Sequence, residues 1–165
     1  MRKQKGFSLI ELLIVVAIIL IIAAIAIPNL LRSRIAANEA SAVGSMRTIN
    51  TAEVTFASTY PSDGFASSLG QLGGTGTSAT DANALLLDNV LGCSTATASG
   101  GACTKSGYSF TVTISGSAAP YPFYYANAAP VTPGQTGQRY FYTDASGVIR
   151  YNTTQAATSA DNPLQ

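Results

Sequence analysis

From Leu12 to Ile27 the chain holds twelve large aliphatic side chains and four alanines, and nothing else. No polar face interrupts the run, so the pattern predicts a helix built for an apolar medium rather than for one side of a core. Phe7 to Pro28 is 22 residues, about 33 Å of helix at ~1.5 Å per residue, enough to cross a bilayer. After Pro28 the character changes. Leu31, Ile35, Ala42, Met46, Ile49 and Phe56 recur at steps of three, four or seven, predicting an amphipathic continuation to about Ser58 with one face packed on a globular head. Arg32, Arg34, Glu39, Arg47 and Glu53 read as lying mostly off that stripe. Gly44 weakens the helix by up to ~1 kcal/mol relative to alanine, and the turn residues of "TYPSDG", Thr59–Gly64, end it.

The remaining pattern alternates. "YSFTVTIS" sets Tyr108, Phe110, Val112 and Ile114 against Ser and Thr, predicting a half-buried strand. "YPFYYA" predicts a second, with Pro122 demoting it to an edge. "RYFYTDASGVIRY" predicts a hairpin turning at Asp144–Gly147. "TDANALLLDNVLG" predicts a short helix, with Thr80 or Asp81 at its N-cap, Leu85, Leu86 and Val90 inward, and Gly92 stopping it. The sum is an α+β fold: a long helix, its apolar half protruding, packed on an antiparallel sheet of three or four strands. Tyr121, Phe123, Tyr124, Tyr125, Tyr140, Phe141 and Tyr142 crowd one region. Core packing accounts for them more simply than adhesion or stacking between chains. After Tyr151 the tail is polar and expected to be flexible.

Composition narrows the chemistry. With no histidine and two cysteines, familiar zinc sites and Ser-His or Cys-His catalysis are out of reach. No two acids have suggestive placement, so no enzyme, metal site or cofactor is expected. Nine Lys+Arg face eight Asp+Glu, but Arg2, Lys3 and Lys5 precede the apolar run; the rest is mildly acidic. That balance gives no reason to expect nucleic acid as an obligate partner.

The three leading cations place the N-terminus on the cytoplasmic side of a membrane. Immediately ahead of the run stands one carboxylate, Glu11. The aliphatic side chains favour insertion by roughly 4–7 kcal/mol, against a cost of about 2.5–3.5 kcal/mol for a charge at mid-bilayer. Insertion therefore tolerates Glu11 without explaining it. A plain single-pass anchor and a secretory signal cut after "AIA" at Ala24–Ala26 are two readings; the second meets a long run and a proline two residues past the cut.

A third reading gives Glu11 a purpose. "KGFSLIELLIVVAIILIIAAIAIP" closely resembles the N-terminus of type IV prepilins and of the related pseudopilins of type II secretion, over roughly Arg2 to Phe56. The resemblance implies that a prepilin peptidase cuts between Gly6 and Phe7 and methylates the new Phe7 amine. It implies that Glu11 pairs with the Phe7 amine of a neighbouring subunit and sets axial register. Pro28 matches a pilin proline at which the helix kinks or melts locally. The implied segments are a leader at 1–6, a transmembrane and assembly half-helix at 7–28, an amphipathic half at 29–59, a head at 60–151 and a tail at 152–165.

The resemblance implies a structural subunit, a major pilin, held in the inner membrane with membrane lipid as its first partner. An assembly platform and its ATPase then polymerise it into a helical homopolymer outside the cell. Attachment, motility and DNA uptake are the roles this family serves. A pseudopilin is the alternative, although no acidic cluster resembles the calcium site of major pseudopilins; a secreted binding protein is a more distant one. In an extracytoplasmic head Cys93 and Cys103 are expected to form a disulfide. Many pilins instead bracket a loop near the C-terminus, so no receptor-binding role is carried over. Asn152-Thr153-Thr154 fits a glycosylation sequon, a match common by chance.

Overall fold

Helix α1 runs from Leu9 to Thr59 and continues through Pro28. The computed structural model describes residues 8–74, 76–94, 96, 99–116 and 118–164. The chain divides into two compact units between Arg34 and Ile35.

In the part from Ile35 onward, α1 buries Ile35, Ala42, Val43, Met46, Ile49, Ala52 and Phe56. They join a core cluster with Tyr108, Phe110, Val112, Ala126, Ala128 and Phe141 of the sheet. The six strands are β1 (Ala102–Lys105), β2 (Tyr108–Ser115), β3 (Phe123–Pro130), β4 (Tyr140–Asp144), β5 (Arg150–Asn152) and β6 (Asn162–Pro163). Each pairs antiparallel with the next, in sequence order. β2 falls where alternation predicted it: Tyr108, Phe110 and Val112 are buried, and each serine or threonine between them is less so. The Tyr108 hydroxyl donates to the Arg139 carbonyl (2.8 Å), which satisfies a polar group inside the core.

The sheet has six strands where three or four were expected. β1 turns into β2 through Ser106 and Gly107, both at positive φ (50° and 74°), as a two-residue hairpin turn following the sheet's twist requires. β3 is a central strand, not an edge: Pro122 lies just before it and removes no ladder bond. The hairpin of β4 and β5 forms as predicted, with Gly147 N–H donating to the Asp144 carbonyl (2.9 Å).

Residues 80–92 form no helix. Leu85 sits at φ 54°, and the N–H groups of Ala84, Leu85 and Leu86 donate to the carbonyls of Gln71, Gly73 and Leu72 (2.8–3.0 Å). Donors bonded across chain segments cannot also serve an i→i−4 ladder. Ala84, Leu87 and Leu91 face inward, whereas Val90 and Leu85 are exposed. The short helix is instead α2 (Leu69–Leu72), capped by Ser68, whose hydroxyl accepts from Gln71 N–H (3.2 Å).

Glu39 and Glu53 also depart from expectation, since both are buried. With Met46 they follow heptad steps along the packed face, where distant backbone donors need acceptors. Glu39 Oε1 accepts from the N–H groups of Gln138 (2.8 Å) and Arg139 (3.1 Å), and its Oε2 accepts from Arg139 Nε (2.7 Å). Glu53 Oε2 accepts from Ala66 N–H (2.9 Å), while its Oε1 has no partner among the described residues. Asn50 adds a neutral tie, donating to Thr143 Oγ1 (3.0 Å) and accepting from the Tyr124 hydroxyl (2.9 Å).

The segment after Tyr151 is built into the fold rather than left as a loose tail. β6 pairs with β5, and Leu164 N–H donates to the Ile149 carbonyl (2.7 Å). Asp161 accepts from Asn152 Nδ2 (2.8 Å) and from Thr158 N–H (2.7 Å), folding the polar stretch on itself. Asn152, the sequon residue, thus has its amide engaged.

Two predictions follow from the buried acids. Replacing Glu39 with alanine leaves two backbone donors and a half-exposed arginine without their acceptor. Urea unfolding of the full chain in detergent should show a loss of about 2–4 kcal/mol, and Glu39→Gln a smaller loss. Burial pushes the Glu53 carboxyl up from its ordinary 4.5 to about 8, against the opposing pull of the Ala66 hydrogen bond. The folded chain therefore holds a proton that the unfolded chain releases. This group's contribution is fully present below pH 4.5 and is lost as pH rises to about 8, at up to ~1.4 kcal/mol per pH unit. Thermal unfolding from pH 5 to 9 should fall less steeply in Glu53→Gln than in the parent; equal slopes contradict the assignment.

Candidate functional site

The part up to Arg34 is one apolar stretch of α1. Leucine, isoleucine and valine side chains from Leu9 (79% exposed) to Leu31 (42%) stand open on every side of the helix. An 18-residue window in α1 averages a hydropathy of 3.3, long and apolar enough to cross a membrane. A soluble surface helix hides such residues on one stripe; a helix apolar all round needs lipid or other helices.

Glu11 stands in the first turn. Its Oε2 accepts from the backbone N–H of Ser8 (3.1 Å), the residue just ahead of the helix. That is one half of a capping box, and Ser8-Leu9-Ile10-Glu11 is its sequence signature. The sequence carries this signature beside the expected pairing of Glu11 with another chain. A negative charge here also suits the helix macrodipole. Glu11 Oε1 has no hydrogen bond among the described residues, so one carboxylate oxygen is committed to the cap and the other is available. Pro28 lies inside the helix; lacking an N–H, it leaves the Ala24 carbonyl without its i+4 donor. Gly6 and Phe7, expected at the cleavage and methylation point, lie outside the described residues.

In the part from Ile35 onward, Cys93 and Cys103 are bonded, with an S–S distance of 2.05 Å and Cα atoms 5.7 Å apart. Cys103 is buried in β1, so the bridge ties residues 93–102 to the sheet's first strand. Lys105 on the same strand reaches Asp88 (2.6 Å), a surface pair worth at most ~1 kcal/mol.

The aromatic crowd divides between two faces. Tyr124 and Phe141 are buried toward α1, Phe123 is exposed, and Tyr125 and Tyr142 stack with centroids 6.0 Å apart on the opposite face of the sheet. The single expectation of core packing therefore holds for part of the cluster.

Comparison with known proteins bears on the N-terminal segment. Residues 1–27 match the family profile described as the prokaryotic N-terminal methylation motif. Over 39 residues the chain is 67% identical to the type IV wide pilus major component PilA4 of Thermus thermophilus, covering 24% of this chain and 30% of that protein. Over 54 residues it is 44% identical to the type IV major pilin protein PilA of Myxococcus xanthus, covering 33% of this chain and 24% of that protein. The matches thus span less than a third of either relative's length. No solved structure matches the chain.

The cysteine pair carries the prediction here. Native protein should resist maleimide labelling until reduced. Replacing both cysteines with serine should lower stability by about 2–3 kcal/mol for a loop of this length, read by urea unfolding under non-reducing conditions. Ready labelling of the native chain contradicts the bridge.

Proposed function

Taking as premise an N-terminal segment and a helix-on-sheet fold of the type IV pilin kind, we propose that this chain is a major pilin. It is cut between Gly6 and Phe7 by a prepilin peptidase and methylated at Phe7. It waits in the inner membrane with its N-terminus cytoplasmic. An assembly platform and its ATPase then build it into a helical filament outside the cell. The observation that carries this reading is an aliphatic helix surface uncovered in its own chain and holding one capped carboxylate.

The energetics assign each part a role. In the membrane, lipid covers Leu9–Leu31; in a filament, the same helices of neighbouring copies do. Transfer from lipid to a helix bundle gains little hydrophobic energy, because both surroundings are apolar. Aliphatic packing alone also leaves axial register weakly specified. A charge enclosed in that bundle is costly unless paired, and pairing occurs at one axial offset. The free Glu11 oxygen offers the acceptor, and the Phe7 amine of the next subunit supplies the cation. Pro28 is the place at which the helix gives way as subunits pack.

Glu11→Ala should leave the chain inserted in the membrane and its leader removed, while sheared filaments fall at least roughly tenfold. Immunoblots of membrane and sheared fractions measure both. Piliation at the parent level would overturn the register argument.

A further inference from the structure

Along β3 and β4, Tyr124, Ala126, Phe141 and Thr143 are buried toward α1, so Tyr125 and Tyr142 stand on the other face by strand alternation. There they line a cleft of about 450 Å³ together with Phe123, Asp144, Ser146 and Ser159. A second cleft of about 280 Å³ shares Tyr125, Tyr142 and Ser159, and adds Asn127 and Thr158. The two ring planes are 21° from parallel. Phe123 is 62% exposed, a large aromatic group at the cleft that its own chain leaves uncovered.

The polar rim is already arranged. Asp144 Oδ1 accepts from Ser146 N–H (2.9 Å), and the Tyr142 and Ser159 hydroxyl groups line the same cleft. Burial alone would raise the Asp144 pKa, but the Ser146 and Tyr142 hydrogen bonds and the Arg150 charge together hold it below the ordinary value. Among the described residues no cationic side chain lines either cleft, and Arg150 spends its Nη1 on the Asp161 carbonyl (2.9 Å).

We infer that this face binds neutral carbohydrate, with a pyranose ring laid against the outside of the Tyr125–Tyr142 stack and its hydroxyl groups donating to Asp144. Aromatic faces carry negative potential, which attracts the C–H bonds on a sugar's apolar face because the adjacent oxygens leave them slightly positive. Hydroxyl donors to an ionised carboxylate form charge-assisted bonds, and the surrounding serine, threonine and asparagine groups suit the remaining hydroxyls. The combined room suits a short oligosaccharide. An ammonium ligand is served better by rings enclosing it from several sides, and this pair, its faces turned to one another, makes no such enclosure. The site is complete within one chain and lies on the sheet face opposite the packed part of α1, so binding needs no polymer.

Saturation-transfer NMR of the full chain in detergent, with maltotriose, cellotriose and chitotriose as probes, tests the inference. At least one trisaccharide should receive saturation through its ring C–H protons. Tyr142→Ala and Tyr125→Leu should each weaken binding by roughly tenfold, and Asp144→Asn by several-fold. Phe123→Ser, at an exposed position that the fold does not use, should weaken it with the thermal transition unchanged, so lost binding cannot be mistaken for lost folding. Silence from all three sugars, undiminished binding in the Tyr125→Leu and Phe123→Ser variants, or displacement of the sugar by tetramethylammonium would overturn it. None of these outcomes depends on filament formation, so this inference and the assembly reading fail separately.

Discussion

An aliphatic surface that its own chain does not cover is the constraint on which the rest of this protein depends. The side chains from Leu9 to Leu31 are too apolar for water on every side of the helix, so the segment always requires lipid or other helices around it. Because both satisfy it almost equally, it can move from one to the other at little hydrophobic cost. That near-indifference suits a subunit first stored and then polymerised. On the proposed reading, direction and register come from something other than apolar burial, and Glu11 is the one charged side chain from Leu9 to Leu31.

From Ile35 onward α1 answers a different demand. Its packed face mixes apolar side chains with Glu39 and Glu53, which accept from backbone groups of Gln138, Arg139 and Ala66, 13 to 100 residues away. These acids give the helix–sheet contact a fixed position that apolar contact alone specifies weakly. They differ in consequence. Glu39 is satisfied by three donors, whereas Glu53 keeps one oxygen without a partner among the described residues and holds its proton up to about pH 8. Neither lies in the apolar segment from Leu9 to Leu31.

The two periodicities of the chain were legible because each is local. Leu12–Ile27 has no polar residue, and β2 alternates over its length. Residues 80–92 misled because "ANALLL" has a helix former's composition, while its N–H groups are taken by Gln71, Leu72 and Gly73; tertiary pairing overrode propensity. Glu39 and Glu53 were assigned to solvent by residue type, and their donors lie elsewhere in the chain. β6 is two residues, Asn162 and Pro163, a pairing with no local signature. At the candidate site Glu11 stood out as the lone charge and the disulfide was expected from context. The Ser8–Glu11 cap was present as a pattern and went unread, and the pairing of Tyr125 with Tyr142 needed the register of β3 on β4.

The central claim is that the N-terminal segment is processed for assembly, and the intact mass and N-terminal residue of the protein from its native membrane test it most directly. The account predicts a chain that begins at Phe7 and carries one added methyl group on its amine. A chain beginning at Ile27 would mean that α1's apolar half, with Glu11, is discarded as a secretory signal. A chain retaining Gly6 and the leading cations would mean a permanent anchor. Either result contradicts the role assigned to Glu11.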